Sequence, residues 1–175
     1  MAQAKIRMMV GRRSGVTSAP TFNAAQKVSA AFVMGAPVKM TSGVLVACAT
    51  TNAGTSSLIT YVNKSSAANM LGFAQGTAAA SSTNRLVVAR IHEGVEFTGN
   101  LVAMTAASAK ISKIGSTVYL ARRKSVDTHY GWTLDTPGAN SASYVQGKIT
   151  ELVDAASTVN GRVMVTITKG GALAV

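Results

Sequence analysis

Histidines and acidic residues are the side chains that would carry metal or acid–base chemistry in this chain, and they are few. The chain has two histidines and six acidic residues. His92, Glu93 and Glu96 lie close together, but on a strand His92 and Glu96 would be roughly 13 Å apart at about 3.3 Å per residue, too far to bind one ion. His129 lies in a polar run that indicates a loop. A site of two histidines and a carboxylate would have to be assembled by folding, so we predict no metal site and no cofactor.

Cys48 and the many serines are candidate nucleophiles, but none stands in a motif that would activate it. Cys48 lies in an apolar run over residues 44–49, where a thiol usually behaves as a small buried hydrophobe. A lone cysteine forms no internal disulfide, so it does not indicate an oxidising compartment. Gly11-Arg12-Arg13-Ser14-Gly15 is the nearest approach to a phosphate-binding loop, but it lacks the preceding strand and the Gly-Lys-Ser/Thr ending. We therefore predict no catalytic residues and a protein that is not an enzyme.

Composition indicates the elements that position these residues. The chain has 175 residues, 16 glycines against 3 prolines, and only 13% charged residues. That length can bury a core without disulfides or a structural metal. β-Branched residues favour strands, and glycine permits the turns and bulges between them. From residue 31 onward, short apolar runs recur between clusters of Gly, Asn, Ser and Thr, which predicts a mostly β fold, a compact β-barrel or β-sandwich of short strands.

Alternation of apolar and polar residues predicts which faces of the strands are buried. Over residues 85–97 one parity is apolar and is predicted to face the core, while the other holds Arg90, His92 and Glu96. The apolar positions there are Val87, Ala89, Ile91, Val95 and Phe97. Near the end of the chain, Val163, Val165 and Ile167 follow the same rule. The strongest helix candidate, residues 105–112, fits a wide turn equally well.

Positive charge is concentrated in the first half of the chain. Residues 1–92 hold nine basic and no acidic residues, a charge of +9, whereas residues 93–175 hold eight basic and six acidic residues, a charge of +2. Such asymmetry indicates an anionic partner, either nucleic acid or an acidic protein surface, with solubility as the alternative explanation. Nucleic acid is less favoured, because the aromatic residues occur singly rather than interleaved with basic ones.

The first thirty residues are predicted to be a basic, extended N-terminal arm preceding a β domain over residues 31–175. They lack a sustained apolar period and are interrupted by Gly11, Gly15 and Pro20. The predicted partner-binding residues are the basic residues of this arm, Lys5, Arg7, Arg12, Arg13 and Lys27. No run reaches the roughly 18 apolar residues of a membrane span, and the N-terminus lacks the apolar stretch of a signal peptide. We expect a soluble protein made in a cytoplasm, with no membrane partner.

The sequence also repeats itself weakly at offsets of 75 to 80 residues. Gly35-Ala36-Pro37-Val38-Lys39-Met40 corresponds to Gly115-Ser116-Thr117-Val118-Tyr119-Leu120. Residues 71–74 then correspond to residues 145–149, and residues 85–88 to residues 162–165. These matches suggest two related β units, although chance in so biased a composition would also produce them.

The same ordered series resembles small bacteriophage capsid decoration proteins, also called cement proteins. The resemblance rests on the strand opened by Gly115, a loop containing Tyr130-Gly131-Trp132, the segment Tyr144-Val145-Gln146-Gly147-Lys148-Ile149, and a last strand over residues 162–167. The segment over residues 91–97 resembles the strand that precedes them. The resemblance covers about residues 35–168 and consists of glycine and apolar placements. The long basic arm departs from the simplest members.

The resemblance implies a compact β-barrel or β-sandwich, usually trimeric, that sits between capsomers and reinforces the shell. On this basis we expect a structural virion protein on the capsid surface, with the major capsid protein as partner and a homotrimer as its assembly. The arm would then bind acidic capsid surface. The alternatives are a basic nucleic-acid-binding β module or another phage head structural protein.

Overall fold

The computed structural model describes thirteen strands and, within the part of the chain that it describes, no α-helix. The described residues are 10–13, 21–25, 31, 33–52, 59–68, 70–77, 79, 85–91, 95–101, 114–123, 131–135, 143–155 and 161–169. The helix candidate over residues 105–112 lies outside them, as do His92, Glu93 and His129. The mostly β class predicted from the sequence is confirmed.

Five strands form the smaller antiparallel sheet, in the order β2-β8-β7-β3-β4. Their bounds are β2 Thr21–Ala25, β3 Pro37–Thr41, β4 Val44–Ala47, β7 Met70–Ala74 and β8 Arg85–Arg90. β3 and β4 form a tight hairpin in which Ser42 (φ 50°) and Gly43 (φ 77°) both adopt left-handed backbone. Glycine has no Cβ to clash in that conformation, so it suits this turn.

Eight strands form the larger sheet, which curls into a half-barrel. Its main path is β1-β9-β13-β12-β10-β6-β5, and β11 pairs with β10. The bounds are β1 Val10–Arg13, β5 Thr50–Asn52, β6 Ile59–Val62, β9 Val95–Asn100, β10 Thr117–Arg123, β11 Gly131–Asp135, β12 Gln146–Leu152 and β13 Arg162–Lys169. A parallel bridge between Leu101 and Leu134 brings β11 back to the end of β9 and curls the sheet.

The two sheets contain the same five-stranded unit. We call β2, β3, β4, β7 and β8 unit 1, and β9 to β13 unit 2. Unit 1 has the order β2-β8-β7-β3-β4 and unit 2 the order β9-β13-β12-β10-β11, which is the same path through equivalent strands. The register also agrees: Val38 pairs with Gly72 and Gly72 with Arg90, while Val118 pairs with Gly147 and Gly147 with Ile167.

The turns that precede the equivalent strands β3 and β10 are alike in detail. Gly35 and Gly115 have φ values of 82° and 81°. The Gly35 amide donates to the Ala74 carbonyl at 2.6 Å, and the Gly115 amide donates to the Ile149 carbonyl at 2.8 Å. The hypothesis of two related β units is therefore confirmed in strand order, register and turn geometry.

A single apolar core joins the two units. Phe73 of β7 and Phe97 of β9 are fully buried and meet edge to face, with ring centroids 4.7 Å apart. The burial predicted for Val95 and Phe97 is confirmed, as is that of the valines and isoleucine of β13. The parity predicted for residues 85–90 holds for Ala89, which is buried, and for Arg90, which is exposed. It is wrong at Val87, which is 40% exposed while its neighbours Leu86 and Val88 are buried. Residues 85–97 are two strands in different sheets, so one alternation does not run through both.

Three strands lie in segments that the sequence predicts as a loop or an arm. Gly131 and Trp132 were expected in a loop, but they begin β11, and Trp132 is buried in the core. The predicted arm over residues 1–30 contains β1 and β2, which pair with β9 and β8. The backbone of these nine residues is extended, as expected for the arm, and it is paired within the two sheets rather than separate from them.

Candidate interaction surfaces

The predicted partner-binding residues divide between an edge strand and undescribed segments. Arg12 and Arg13 lie on β1, at register positions opposite Glu96 and Val95 of β9. β1 is the last strand at its side of the larger sheet, so these arginines lie at a sheet edge. Lys5, Arg7 and Lys27 lie outside the described residues. Edge strands retain unpaired backbone groups that are available to a partner.

A buried group of tyrosines is the polar feature that sequence reasoning missed. Tyr61 stacks on Tyr144 at 5.0 Å between ring centroids, and Tyr119 meets Tyr61 edge to face at 6.4 Å. All three side chains are at most 8% exposed, and with Ala121 they form a small core apart from the main one. Tyr61 lies on β6, Tyr119 lies on β10, and Tyr144 directly precedes Val145. Because the three are far apart in the sequence, no local pattern predicts the cluster.

Asp135 lies within this tyrosine cluster and is buried. The Tyr61 hydroxyl donates a hydrogen bond to the Asp135 carboxylate. Burial first, and then the hydrogen bond and negative charge of Asp135, raise the pKa of Tyr61 well above its usual value. Tyr61 belongs to β6, which is inserted between β4 and β7 of unit 1, whereas Asp135 ends β11 of unit 2. The bond therefore fastens this inserted strand onto unit 2.

A second buried hydrogen bond joins β11, the strand that Asp135 ends, to the end of β9. The Thr133 hydroxyl donates to the Asn100 carbonyl at 2.7 Å. Thr133 is fully buried, and Asn100 ends β9, next to the bridge made by Leu101. β11 is thus held by polar contacts on one face and by Trp132 and Leu134 in the main core on the other. The residues that make these polar contacts are at most 8% exposed.

Asp154 and Arg162 form a surface ion pair at the hairpin between β12 and β13. The Arg162 guanidinium donates to Asp154 at 2.6 Å, and the Arg162 backbone amide donates to the same carboxylate at 2.8 Å. These hydrogen bonds lower the pKa of Asp154. Arg162 is the first residue of β13 and occupies the position that Arg85 occupies in β8 of unit 1.

Cys48 is buried, as predicted, and its thiol is inert at neutral pH. Only 3% of the residue is exposed. Burial raises its pKa from 9.0 to about 12, with Lys39 opposing the shift. The reactive thiolate is therefore scarce below pH 9.

The raised Cys48 pKa predicts a stability crossover at alkaline pH. At neutral pH, Cys48→Ala should cost on the order of 1 kcal/mol, because a small apolar volume is lost. Between pH 9 and about 12 the unfolded thiol ionises while the folded thiol does not, so the wild-type protein should lose about 1.4 kcal/mol per pH unit relative to Cys48→Ala. Urea unfolding of both proteins from pH 7 to 11 measures this difference. A constant difference across that range would contradict the burial of the thiol.

Six aromatic side chains lie in the part of the chain whose side-chain burial the structure describes, and all six are buried. These are Tyr61, Phe73, Phe97, Tyr119, Trp132 and Tyr144. Single-stranded nucleic acid is bound largely by stacking bases on exposed aromatic rings, and these rings are not placed for that role.

No family model, curated protein or solved structure matches this chain. The described residues contain no group of His, Cys, Asp and Glu residues that could hold a metal ion. The same part of the chain contains no helix long and apolar enough to cross a membrane.

Proposed function

We propose that this chain is a structural virion protein that binds the assembled capsid of a bacteriophage and stabilises the shell between capsomers. The observation that carries the proposal is the charge of +9 over residues 1–92, which contain no acidic residue, on a segment that contributes strands to both sheets. Such a chain combines a rigid β body with a basic edge suited to an acidic protein surface.

The motif residues behind the resemblance to capsid decoration proteins also support the proposal. Gly115, Gly147 and the valines of β13 lie on three adjacent strands of unit 2, β10, β12 and β13, so the motif describes one continuous piece of sheet. These residues form a turn and pack against their neighbours, as expected for a protein that functions by binding. The proposed partner is the major capsid protein, the proposed location is the capsid surface, and the proposed assembly is a homotrimer.

Changing Arg12 and Arg13 together to Ala should weaken binding to capsids assembled without this protein. We expect about a tenfold loss at low salt that shrinks as salt is added, because screening removes the contribution of exposed charges. The matched control changes Lys113 and Lys148 to Ala, which removes the same charge from the other half of the chain. Occupancy measured by sedimentation with capsids across a salt titration gives both affinities. Equal losses in the two variants would show that net charge, rather than the β1 edge, governs attachment.

Nucleic-acid binding is the second candidate, favoured by the net charge of +11. It predicts retention on duplex DNA, with a logarithmic affinity that falls steeply and linearly with the logarithm of salt concentration. DNA binding in the absence of any capsid binding would replace the virion proposal with this one.

A further inference from the structure

One edge of the larger sheet is formed by β1, which pairs with β9 on one side. Among the described residues, no strand pairs with its other side. β8 lies close to β1, but it is already paired on both sides, with β2 and with β7. β1 is therefore an open edge of the described sheet, and an open edge can accept one further strand.

The hydrogen bonds of β9 show which of its residues face β1. In an antiparallel ladder, each residue directs its N–H and C=O groups to the same side, and successive residues alternate between the two sides. The Leu101 amide donates to the Gly161 carbonyl, on the β13 side of β9. Thr98 and Glu96 lie an odd number of residues before Leu101, so their N–H and C=O groups face the opposite side, towards β1.

The same alternation assigns the four residues of β1. Val10 and Arg12 are opposite those two β9 residues in the register, so their N–H and C=O groups bond to β9. Gly11 and Arg13 alternate with them, and their N–H and C=O groups therefore point away from β9, to the open side. The backbone groups of these two residues are spaced to pair with one extended segment of another chain.

The charges of the edge strands indicate which kind of segment fits. The strands at the ends of the two sheet paths are β1, β5, β2 and β4, and of these only β1 contains charged residues, Arg12 and Arg13. None of the four contains an acidic residue. β11, which lies off the path, contains Asp135, but that carboxylate is buried and accepts the hydrogen bond of Tyr61. An edge strand of a second copy therefore has no free carboxylate to place opposite β1.

A strand from another protein can supply the missing negative charge. Arg13 is opposite Val95 in the register, so it has no acidic cross-strand neighbour on β9. Opposite charges that face each other across a strand pair are stabilising, whereas like charges there are destabilising. Two β1 edges would place arginines close to one another. The edge thus favours an acidic strand and disfavours its own copy.

From these observations we infer that β1 binds its partner by strand addition: an extended, acidic segment of the capsid protein pairs with the open side of β1 and continues the larger sheet. The inference rests on the proposed function and specifies how the capsid is recognised. The backbone groups of Gly11 and Arg13 set the register of the added strand. The arginines select a strand that carries carboxylates.

Proline at position 13 tests the backbone contact, with Arg13→Ala as the matched control. Both variants lose the same charge, but only Arg13→Pro loses the N–H that faces the added strand. Proline is tolerated at an edge position whose N–H faces away from the sheet, so the two variants should have the same midpoint of thermal unfolding. In sedimentation with capsids assembled without this protein, Arg13→Pro should bind about tenfold more weakly than Arg13→Ala. Equal binding of the two overturns the inference and leaves the proposed function standing.

Hydrogen exchange of the wild-type protein is a second measurement that needs no variant. In the free protein, the amides of Gly11 and Arg13 should exchange faster than those of Val10 and Arg12, which bond to β9. Capsid binding should slow the first two by about tenfold or more and change the other two little. Unchanged exchange, or equal slowing of all four amides, overturns strand addition.

The same two measurements separate the inference from the proposed function. Slowing of the Gly11 and Arg13 amides by self-association, without capsids, would assign the edge to a second copy and overturn the inference. A wild-type protein that does not sediment with capsids overturns the proposed function and the inference together.

Discussion

Gly72→Ala should destabilise this protein far more than Gly147→Ala, although the two glycines occupy equivalent positions. A Cβ at Gly72 would lie 1.8 Å from the carbonyl oxygen of Ala89 and 2.7 Å from its carbonyl carbon. A Cβ at Gly147 would lie 2.9 Å from the carbonyl oxygen of Thr166. Both contacts are with backbone, which cannot rotate away as a side chain can, but only the 1.8 Å approach at Gly72 would force its two strands, β7 and β8, apart.

We expect Gly72→Ala to cost about 4 kcal/mol or more, which places it among the most damaging single substitutions. Gly147→Ala should cost about 1–2 kcal/mol, since a shift of a few tenths of an ångström relieves the contact. Because a domain is stable by about 5–15 kcal/mol, the first change removes a large part of the total. Urea unfolding of both variants measures the difference.

Gly43→Ala is the matched control for glycine conformation alone. Gly43 has a φ of +77° with no atom within 4 Å of the added Cβ. Its substitution should cost about 1 kcal/mol, from backbone strain without any collision. Similar losses for Gly72→Ala and Gly43→Ala would mean that β7 and β8 are not in such close contact.

The repeat was predictable because its sequence pattern is local. A glycine that adopts left-handed backbone, followed by alternating apolar residues, predicts a turn and a strand at Gly35 and again at Gly115, and the offset of 80 residues is visible in the sequence. The pairing partners were not predictable, since β6 lies between β4 and β7 in the chain but pairs with β10 of unit 2. Nothing in the sequence around Tyr61 shows that this strand pairs with unit 2 rather than with its chain neighbours in unit 1.

Surface charge and buried polarity were predictable to different degrees. Counting residues is enough to find the excess of positive charge before Glu93. The burial of Asp135 is a tertiary effect, because its partner Tyr61 lies 74 residues earlier in the chain. Alternation failed at Val87 for a related reason: residues 85–90 and 95–100 belong to different sheets, and each strand takes its parity from its own sheet.

Tyr61→Ala should have the second large effect on stability, because it opens the tyrosine cluster that joins β6 to unit 2. The ring packs against Tyr119 and Tyr144, and its hydroxyl binds Asp135. Removing a buried aromatic side chain costs about 3–5 kcal/mol. Chemical denaturation monitored by tyrosine and tryptophan fluorescence measures the loss.

Tyr61→Phe and Tyr144→Phe separate the hydrogen bond from the ring packing. Tyr61→Phe keeps the ring but takes a donor from the buried carboxylate, so it should cost about 1–3 kcal/mol. Tyr144→Phe removes a hydroxyl from the same cluster, one with no hydrogen bond to another described residue, and should cost less. The pKa of Tyr61 is raised in the folded protein above the usual 10.0, so its hydroxyl contributes stability that is fully present below pH 10 and is lost as pH rises further. Tyr61→Phe should lack that alkaline loss, whereas Tyr144→Phe should retain it. Identical stability and pH profiles for the two variants would show that the bond to Asp135 does not hold β6 in place.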